Sequence, residues 1–200
     1  NAEIPLKGLR WIISHVPDFP PDLANRMDAM GMGVLLGWGP LRTGTNVGPP
    51  YKQLMGHPIK KGYHSDGGDI TVINPWLNFS TIVTGKNLAG AQILGDQTLT
   101  RQELMWLATA ANKWFIWEDD IGSIEAGKQA DLVALDLGRP ELQPVFDPIS
   151  QLIYAAGREH VTDVWVNGRR LVRQGMLTTL DREELLARGH YWRDRIQESK

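Results

Sequence analysis

A strand–helix–strand succession near the start of the chain limits its possible folds more than any other feature. Residues 9–16, Leu-Arg-Trp-Ile-Ile-Ser-His-Val, read as a buried strand with His15 at its C-terminal end, and Pro17 stops the ladder. Pro20-Pro21-Asp22 opens a short helix through Met30, because proline is tolerated in a first turn, and Gly31 follows as the cap. Gly33-Val34-Leu35-Leu36-Gly37 is a second apolar strand. Two strands joined by a helix within about 30 residues form a βαβ unit, and that connection makes the strands parallel.

A third strand, roughly 59–65, runs into Lys61-Gly62-Tyr63-His64-Ser65-Asp66-Gly67-Gly68-Asp69, whose glycines let the backbone turn sharply. Asp66 therefore stands at a strand-to-loop junction, the place where parallel α/β barrels keep their chemistry. A carboxylate there can touch both a metal ion and its bound water; the plainer reading is an aspartate capping the following turn. His15 offers a neutral imidazole to a divalent metal, against the plainer reading of a buried, hydrogen-bonded histidine. Strict alternation along the third strand would turn His64 to the face opposite Asp66.

Residues 38–57 read as a long Gly/Pro loop, and loops of that length are usually binding segments. Its Arg42, Tyr51 and Lys52 are candidate substrate contacts, as is His64. Asn74-Pro75 starts a helix to about Asn87, with asparagine as N-cap and proline at N1. Trp76, in its first turn, is a further candidate for the pocket lining, core packing being the plainer role. Thr100-Arg101-Gln102-Glu103 is a capping box, and Leu104, Leu107, Ala108, Ala111 and Phe115 follow at helical spacing, which predicts a helix over about 100–117.

Beyond residue 120 the character changes. Residues 130–136 read as a strand and residues 148–156 as a helix, and Asn167-Gly168, flanked by residues 161–166 and 170–173, is the strongest short-range hairpin signal. A final helix over roughly 181–197 is expected to carry Leu185, Leu186, Trp192 and Ile196 inward.

The 200 residues carry a net charge of −2 with no long run of one sign, so nothing points to a nucleic-acid or membrane surface. No apolar stretch approaches the ~20 residues that span a bilayer. Cysteine is absent, which leaves His, Asp and Glu as metal ligands and fits a reducing cytoplasm. The chain begins with Asn1, without a signal-peptide pattern, and reads as a piece of something longer. There is no Gly-x-Ser-x-Gly elbow, P-loop, dinucleotide fingerprint or His-Glu-x-x-His.

Gly122-Ser-Ile-Glu-Ala-Gly-Lys-Gln-Ala-Asp-Leu-Val-Ala-Leu-Asp136 resembles the C-terminal signature of the amidohydrolase superfamily of metal-dependent hydrolases. Residues 9–138 resemble the "amidohydrolase family 3" branch. There, Arg10-Trp-Ile-Ile-Ser-His15 is similar to a strand ending in a metal-binding histidine, Ser65-Asp66 to the end of the eighth strand, and Asn74-Pro-Trp-Leu77 to the helix after it. Residues 144–178 resemble the methylthioadenosine/adenosylhomocysteine deaminase and triazine hydrolase branch, through Phe146-Asp-Pro-Ile-Ser-Gln-Leu-Ile-Tyr-Ala-Ala156 and Val161-Thr-Asp-Val-Trp-Val-Asn-Gly168.

The resemblance implies an α/β fold: the C-terminal portion of a (β/α)8 barrel over residues 1–120, part of a small β-sandwich over 121–178 and a terminal helix over 179–200. It implies hydrolysis of a carbon–nitrogen bond, in an amide or an aminoheterocycle, by metal-activated water. Asp66 would be metal ligand and proton shuttle, His15 a second ligand, and the metal zinc, as one or two ions in the full-length protein. The implied partner is a small-molecule substrate, with homo-oligomers possible. Three departures stand against the pattern. No two of His15, His57, His64, His160 and His190 are two apart, so the His-x-His pair of the first strand is missing. The bridging lysine or glutamate and the fifth-strand histidine would precede residue 1, and Ser14 stands where an acid is expected. This chain alone is then expected to be inactive or weak. A reading from another class is a non-catalytic assembly module whose open sheet edges pair with another chain; a third is a complete small α/β fold reusing these pieces.

Overall fold

In the computed structural model, which describes residues 6–16, 19–37, 44, 48–68 and 71–198, the expected βαβ unit is present, but its first strand, read as buried, is exposed along its length because it lies at the sheet edge. Strands β1 (Ile12–Ser14), β2 (Gly33–Leu36) and β3 (Lys60–Tyr63) form a parallel sheet in that order, with Ile13 opposite Val34 and Leu36 opposite Tyr63. Helix α1 (Pro21–Ala29) connects the first two strands, and Gly31 takes the left-handed conformation two residues past its end. Between β2 and β3 the segment expected as loop contains a short helix, α2 (Tyr51–Met55).

One face of the sheet is sealed by helices. Val34, Leu36 and Ile59 are fully buried together with Met27 of α1, Leu54 of α2, Ile82 of α3 (Pro75–Thr84) and Leu104 and Leu107 of α4 (Arg101–Ala108). Helix α3 begins as its sequence dictates: the Asn74 side chain accepts from Trp76 N–H at 3.0 Å, and Gly85 ends the helix at φ 74°. The capping box of α4 is fully formed, with Thr100 Oγ1 accepting from Glu103 N–H and the Glu103 carboxylate accepting from Thr100 N–H.

Glu103 also takes the Lys52 ammonium at 2.9 Å, tying α2 to α4. The Thr100 backbone bond first, and the Lys52 bond second, hold the Glu103 carboxyl below its ordinary range. Its folded pKa is depressed, so the stability it contributes is complete above the ordinary glutamate pKa and is lost as pH falls through the folded value. Glu103→Gln is expected to flatten the acid side of the stability–pH curve, measured by urea melts between about pH 3 and 6. A variant curve parallel to the parent's across that window would remove Glu103 from the acid response.

The helix expected over 100–117 breaks. Helix α4 stops at Ala108, Thr109 leaves helical dihedrals, and residues Asn112–Ile116 form a separate 3-10 turn. The cause is tertiary. Asn112 is drawn to β3, where its amide accepts from Tyr63 N–H (2.8 Å) and donates to Tyr63 C=O (2.9 Å). Phe115 and Trp114 then lie on the second sheet face, where Gly33 and Gly62 leave room; a Cβ on Gly62 would sit 2.6 Å from the Phe115 ring.

The rest of the chain is an antiparallel sheet in the order β4 (Leu132–Leu135), β5 (Val161–Val166), β6 (Arg169–Arg173), β7 (Met176–Leu177). The β5–β6 hairpin turns at Asn167-Gly168, both at positive φ, as the dipeptide requires. Helix α5 (Pro148–Tyr154) packs on α3 and α4 and buries Ile153. Helix α6 (Arg182–Glu198) forms where expected but buries no residue: Leu185, Leu186, Trp192 and Ile196 are all exposed. The inward face expected from their apolar character is therefore an outward one. Among the described residues, no helix is long and apolar enough to cross a membrane.

Candidate metal site at the strand ends

His15 follows β1 directly and Asp66 lies three residues beyond β3, so both stand at C-terminal strand ends. Both adopt left-handed backbone, at φ 57° and φ 52°, a region uncommon for non-glycine residues and found where geometry is imposed by surroundings. The result brings His15 Nε2 to 3.6 Å from Asp66 Oδ2. Both side chains remain partly exposed.

The loop that carries Asp66 is braced locally. Ser65 Oγ accepts from Gly67 N–H, Thr71 Oγ1 donates to Ser65 C=O, and Gly68 N–H bonds Thr71 C=O at 3.1 Å. Asp66 itself is left to project, while Ser65 caps the turn that the plainer reading gave to Asp66.

His64 does not turn away from the pair. Its ring meets the His15 ring edge-on with centroids 4.7 Å apart. Alternation fails as a guide because β3 ends at Tyr63, and His64 already belongs to the loop. Burial, and secondly the positive charge of a protonated His15, lower the His64 pKa, while Asp66 acts in the opposite direction. Its Nε2 is buried with no hydrogen-bond partner among the described residues. Gly37 makes this placement possible, because a Cβ there would stand 1.8 Å from the His64 carbonyl oxygen. The glycine ending a strand-like run is the one sequence signal from which this close approach could have been read.

Three candidate substrate contacts, Tyr51, Lys52 and Trp76, lie elsewhere. Tyr51 is fully buried in the core on α2, and Lys52 is held by Glu103, because the segment is a packed helix and not a loop over the strand ends. Arg42 lies outside the described residues. Trp76 packs edge-on against Phe79 at 5.3 Å and lines a cavity of about 580 Å³ with Met105, Ile124, Leu132 and Leu152. A second cavity, about 690 Å³, opens at the start of β3 beside Lys60, Lys61 and Trp114. Neither cavity contains His15 or Asp66, so the candidate site rests on its side-chain chemistry and not on enclosure.

The fit to a metal ion can be tested on the pair itself. Zinc binds imidazole nitrogen and carboxylate oxygen at about 2.0–2.2 Å, so donor atoms 3.6 Å apart subtend about 120° at such an ion. That is a reasonable ligand–ligand angle, and 3.6 Å is too long for a direct hydrogen bond. The donors fit, but as part of a set: among the described residues no group of three His, Cys, Asp or Glu is placed to hold an ion.

Residues 4–172 match the model of the amidohydrolase family, and the chain belongs to that family. It is similar to the 5-methylthioadenosine/S-adenosylhomocysteine deaminase of Moorella thermoacetica, at 32% identity over 140 residues, covering 69% of this chain and 32% of the relative. To the deaminase of that name from Teredinibacter turnerae it is 47% identical over 79 residues, 40% of this chain and 18% of the relative. Among solved structures, an adenosine deaminase from Xanthomonas campestris with bound zinc superposes with a TM-score of 0.73 at 30% identity, covering 96% of this chain and 44% of that one. The atrazine chlorohydrolase of Arthrobacter aurescens, complexed with zinc, shares the fold at TM-score 0.69 and 21% identity, covering 88% of this chain and 39% of that one. The chain spans less than half the length of these relatives.

Proposed function

We propose that this chain supplies the closing part of a metal-dependent hydrolase that cleaves a carbon–nitrogen bond in a small molecule, an amide or an amino group on a heterocycle. The observation that carries the reading is His15 and Asp66 meeting at the ends of β1 and β3. In this reading β1, β2 and β3 are the last strands of a (β/α)8 barrel over residues 1–120. The sheet β4–β7 is half of a small β-sandwich over 121–178, and residues 179–200 form a terminal helical unit. The relatives' names and their bound zinc support the reaction type and the metal, and the cysteine-free composition supports a cytoplasmic setting.

His15 and Asp66 would hold the ion, with the remaining ligands contributed from outside the described residues. When bound, a zinc ion lowers the pKa of its water to about 7. Asp66 presents carboxylate oxygens that can accept a proton from that water and return it to the departing nitrogen. His64, packed edge-on against His15, limits the orientations open to its imidazole.

The 200-residue chain is expected to bind zinc only weakly, because a catalytic ion usually takes three protein ligands. The test is a zinc titration followed by competition with a chromophoric chelator. His15→Ala and Asp66→Ala should each weaken binding by at least about tenfold, the loss typical of a removed metal ligand or its partner. Undiminished binding in Asp66→Ala would overturn the assignment. Metal-dependent amidase or deaminase turnover by the purified chain would overturn the view that it is incomplete.

One observation favours a non-catalytic assembly role. Leu9, Trp11, Ile12 and Ile13, on and beside β1, are all exposed, and β1 is an outer strand of the sheet. An apolar outer strand is a template for pairing with another chain. A chain that takes up no zinc yet captures a further strand along β1 would favour this reading over the enzymatic one.

A further inference from the structure

We infer that Lys61 is a nucleophilic amine that forms an imine with a small aldehyde or ketone bearing a negative group. The site lies at the N-terminal end of β3, away from His15 and Asp66, and does not rest on the metal assignment. Consecutive residues of a strand point to opposite faces. Lys60 accordingly reaches solvent, while Lys61 turns inward and keeps only 8% of its surface exposed. Its Nζ donates to His57 C=O at 2.6 Å and stands 6.0 Å from the centre of the Trp106 ring. Among the described residues the lysine ion pairs are those of Lys52 and Lys128, so no carboxylate neutralises Lys61. A buried ammonium without a carboxylate is costly, which favours the neutral amine, the form that attacks a carbonyl carbon.

Burial first, and the neighbouring Lys60 charge second, lower the Lys61 pKa, while Asp28 in α1 acts in the opposite direction. Desolvation and an adjacent cation are two devices that make a lysine nucleophilic near neutral pH. The amine also has room beside it for a ligand. Lys61 and Trp106 both line the cavity of about 690 Å³, a volume within the range of small-molecule sites, and Trp114 adds a second aromatic wall. Around the same cavity Lys60, Lys113 and Lys128 stand with Asp119 and Glu125. With Lys61 neutral, three ammoniums therefore meet two carboxylates, an excess that suits a ligand carrying a carboxylate or phosphate.

In the reaction the Nζ lone pair attacks the carbonyl carbon and a carbon–nitrogen bond forms. The carbonyl oxygen leaves as water with both amine hydrogens, so no oxidant or reductant is consumed. The hydrogen bond to His57 C=O holds the nitrogen in place for the attack and is given up as the second hydrogen departs.

The probe is pyridoxal 5′-phosphate, an aromatic aldehyde with a phosphate; borohydride fixes each imine as a stable amine for peptide mapping. At limiting probe and about pH 7.5, Lys61 of the full chain should be labelled at least about tenfold faster than exposed Lys7 or Lys86. Pyridoxal without the phosphate should label Lys61 more slowly. Lys60→Gln removes a cation, raises the Lys61 pKa and shrinks its neutral fraction, so labelling should slow by about threefold, the effect of one nearby unit charge. Asp28→Asn removes a carboxylate and should speed labelling by a similar factor. Lys60 is exposed, and circular dichroism should show the fold unchanged in Lys60→Gln. Label spread evenly over the lysines, or confined to the exposed ones, overturns the proposal. So does a Lys61 rate that both substitutions leave unchanged. Equal rates with the two aldehydes overturn the assignment of an anionic ligand.

Discussion

Gly37→Ala is expected to destabilise the chain by about 3 kcal/mol, the upper end of the usual cost of overpacking. The added methyl would lie 1.8 Å from the His64 carbonyl oxygen and 2.8 Å from a carbon of its ring. Backbone cannot rotate away as a side chain can, so the end of β2 and the 64–66 segment must separate. That separation stretches the His64 N–H bond to Leu36 C=O, 3.2 Å in the parent, and carries the His64 ring off His15. Urea denaturation should show a lowered midpoint. In the same variant zinc affinity should fall, although neither proposed ligand has been touched. A variant within about 0.5 kcal/mol of the parent, with zinc binding intact, would mean that the approach of β2 to His64 does not position the pair.

Asn112→Ala should cost a similar amount, about 3 kcal/mol, through the loss of hydrogen bonds. Tyr63 turns its N–H and C=O to the outer edge of β3, and the Asn112 side-chain amide satisfies both, as a neighbouring strand would. Alanine leaves a donor and an acceptor without protein partners in a partly buried place, each worth roughly 1–3 kcal/mol when orphaned. It also removes the Asn112 bond to Ala108 C=O at 3.2 Å, which finishes α4. Asn112→Asp keeps an acceptor for Tyr63 N–H but sets a carboxylate against the Tyr63 carbonyl, so it should recover only part of the loss. Hydrogen exchange at the Tyr63 amide is the local readout. Unchanged protection there in Asn112→Ala would show that another group seals this edge.

These two residues show where reading the chain by pattern ends. The βαβ unit, the Asn74 and Thr100 caps and the Asn167-Gly168 turn were legible because each depends on residues within one turn or one strand. Asp66 and His15 were legible as strand-end residues, and the family resemblance gave them roles. Their 3.6 Å approach was not, since it requires left-handed backbone at both positions, and nothing in their neighbours along the chain demands it. His64 was assigned to the wrong side by carrying strand alternation one residue past the strand. Tyr51 and Lys52 were read as loop contacts because Gly-Pro-Pro before them signals a loop, while burial of Tyr51 and Leu54 makes a helical turn.

The sequence by itself determined the helix caps and the hairpin turn, the parallel pairing forced by a helical crossover, and membership of a family whose signature is continuous along the chain. Tertiary structure alone decided where α4 breaks, which side His64 takes, and that Leu185, Leu186, Trp192 and Ile196 of α6 face outward. The division has a physical reason. Caps, turns and crossovers are satisfied by hydrogen bonds and steric limits within a few residues, whereas the strand-end pair depends on the His64 carbonyl passing Gly37, a residue far from it along the chain.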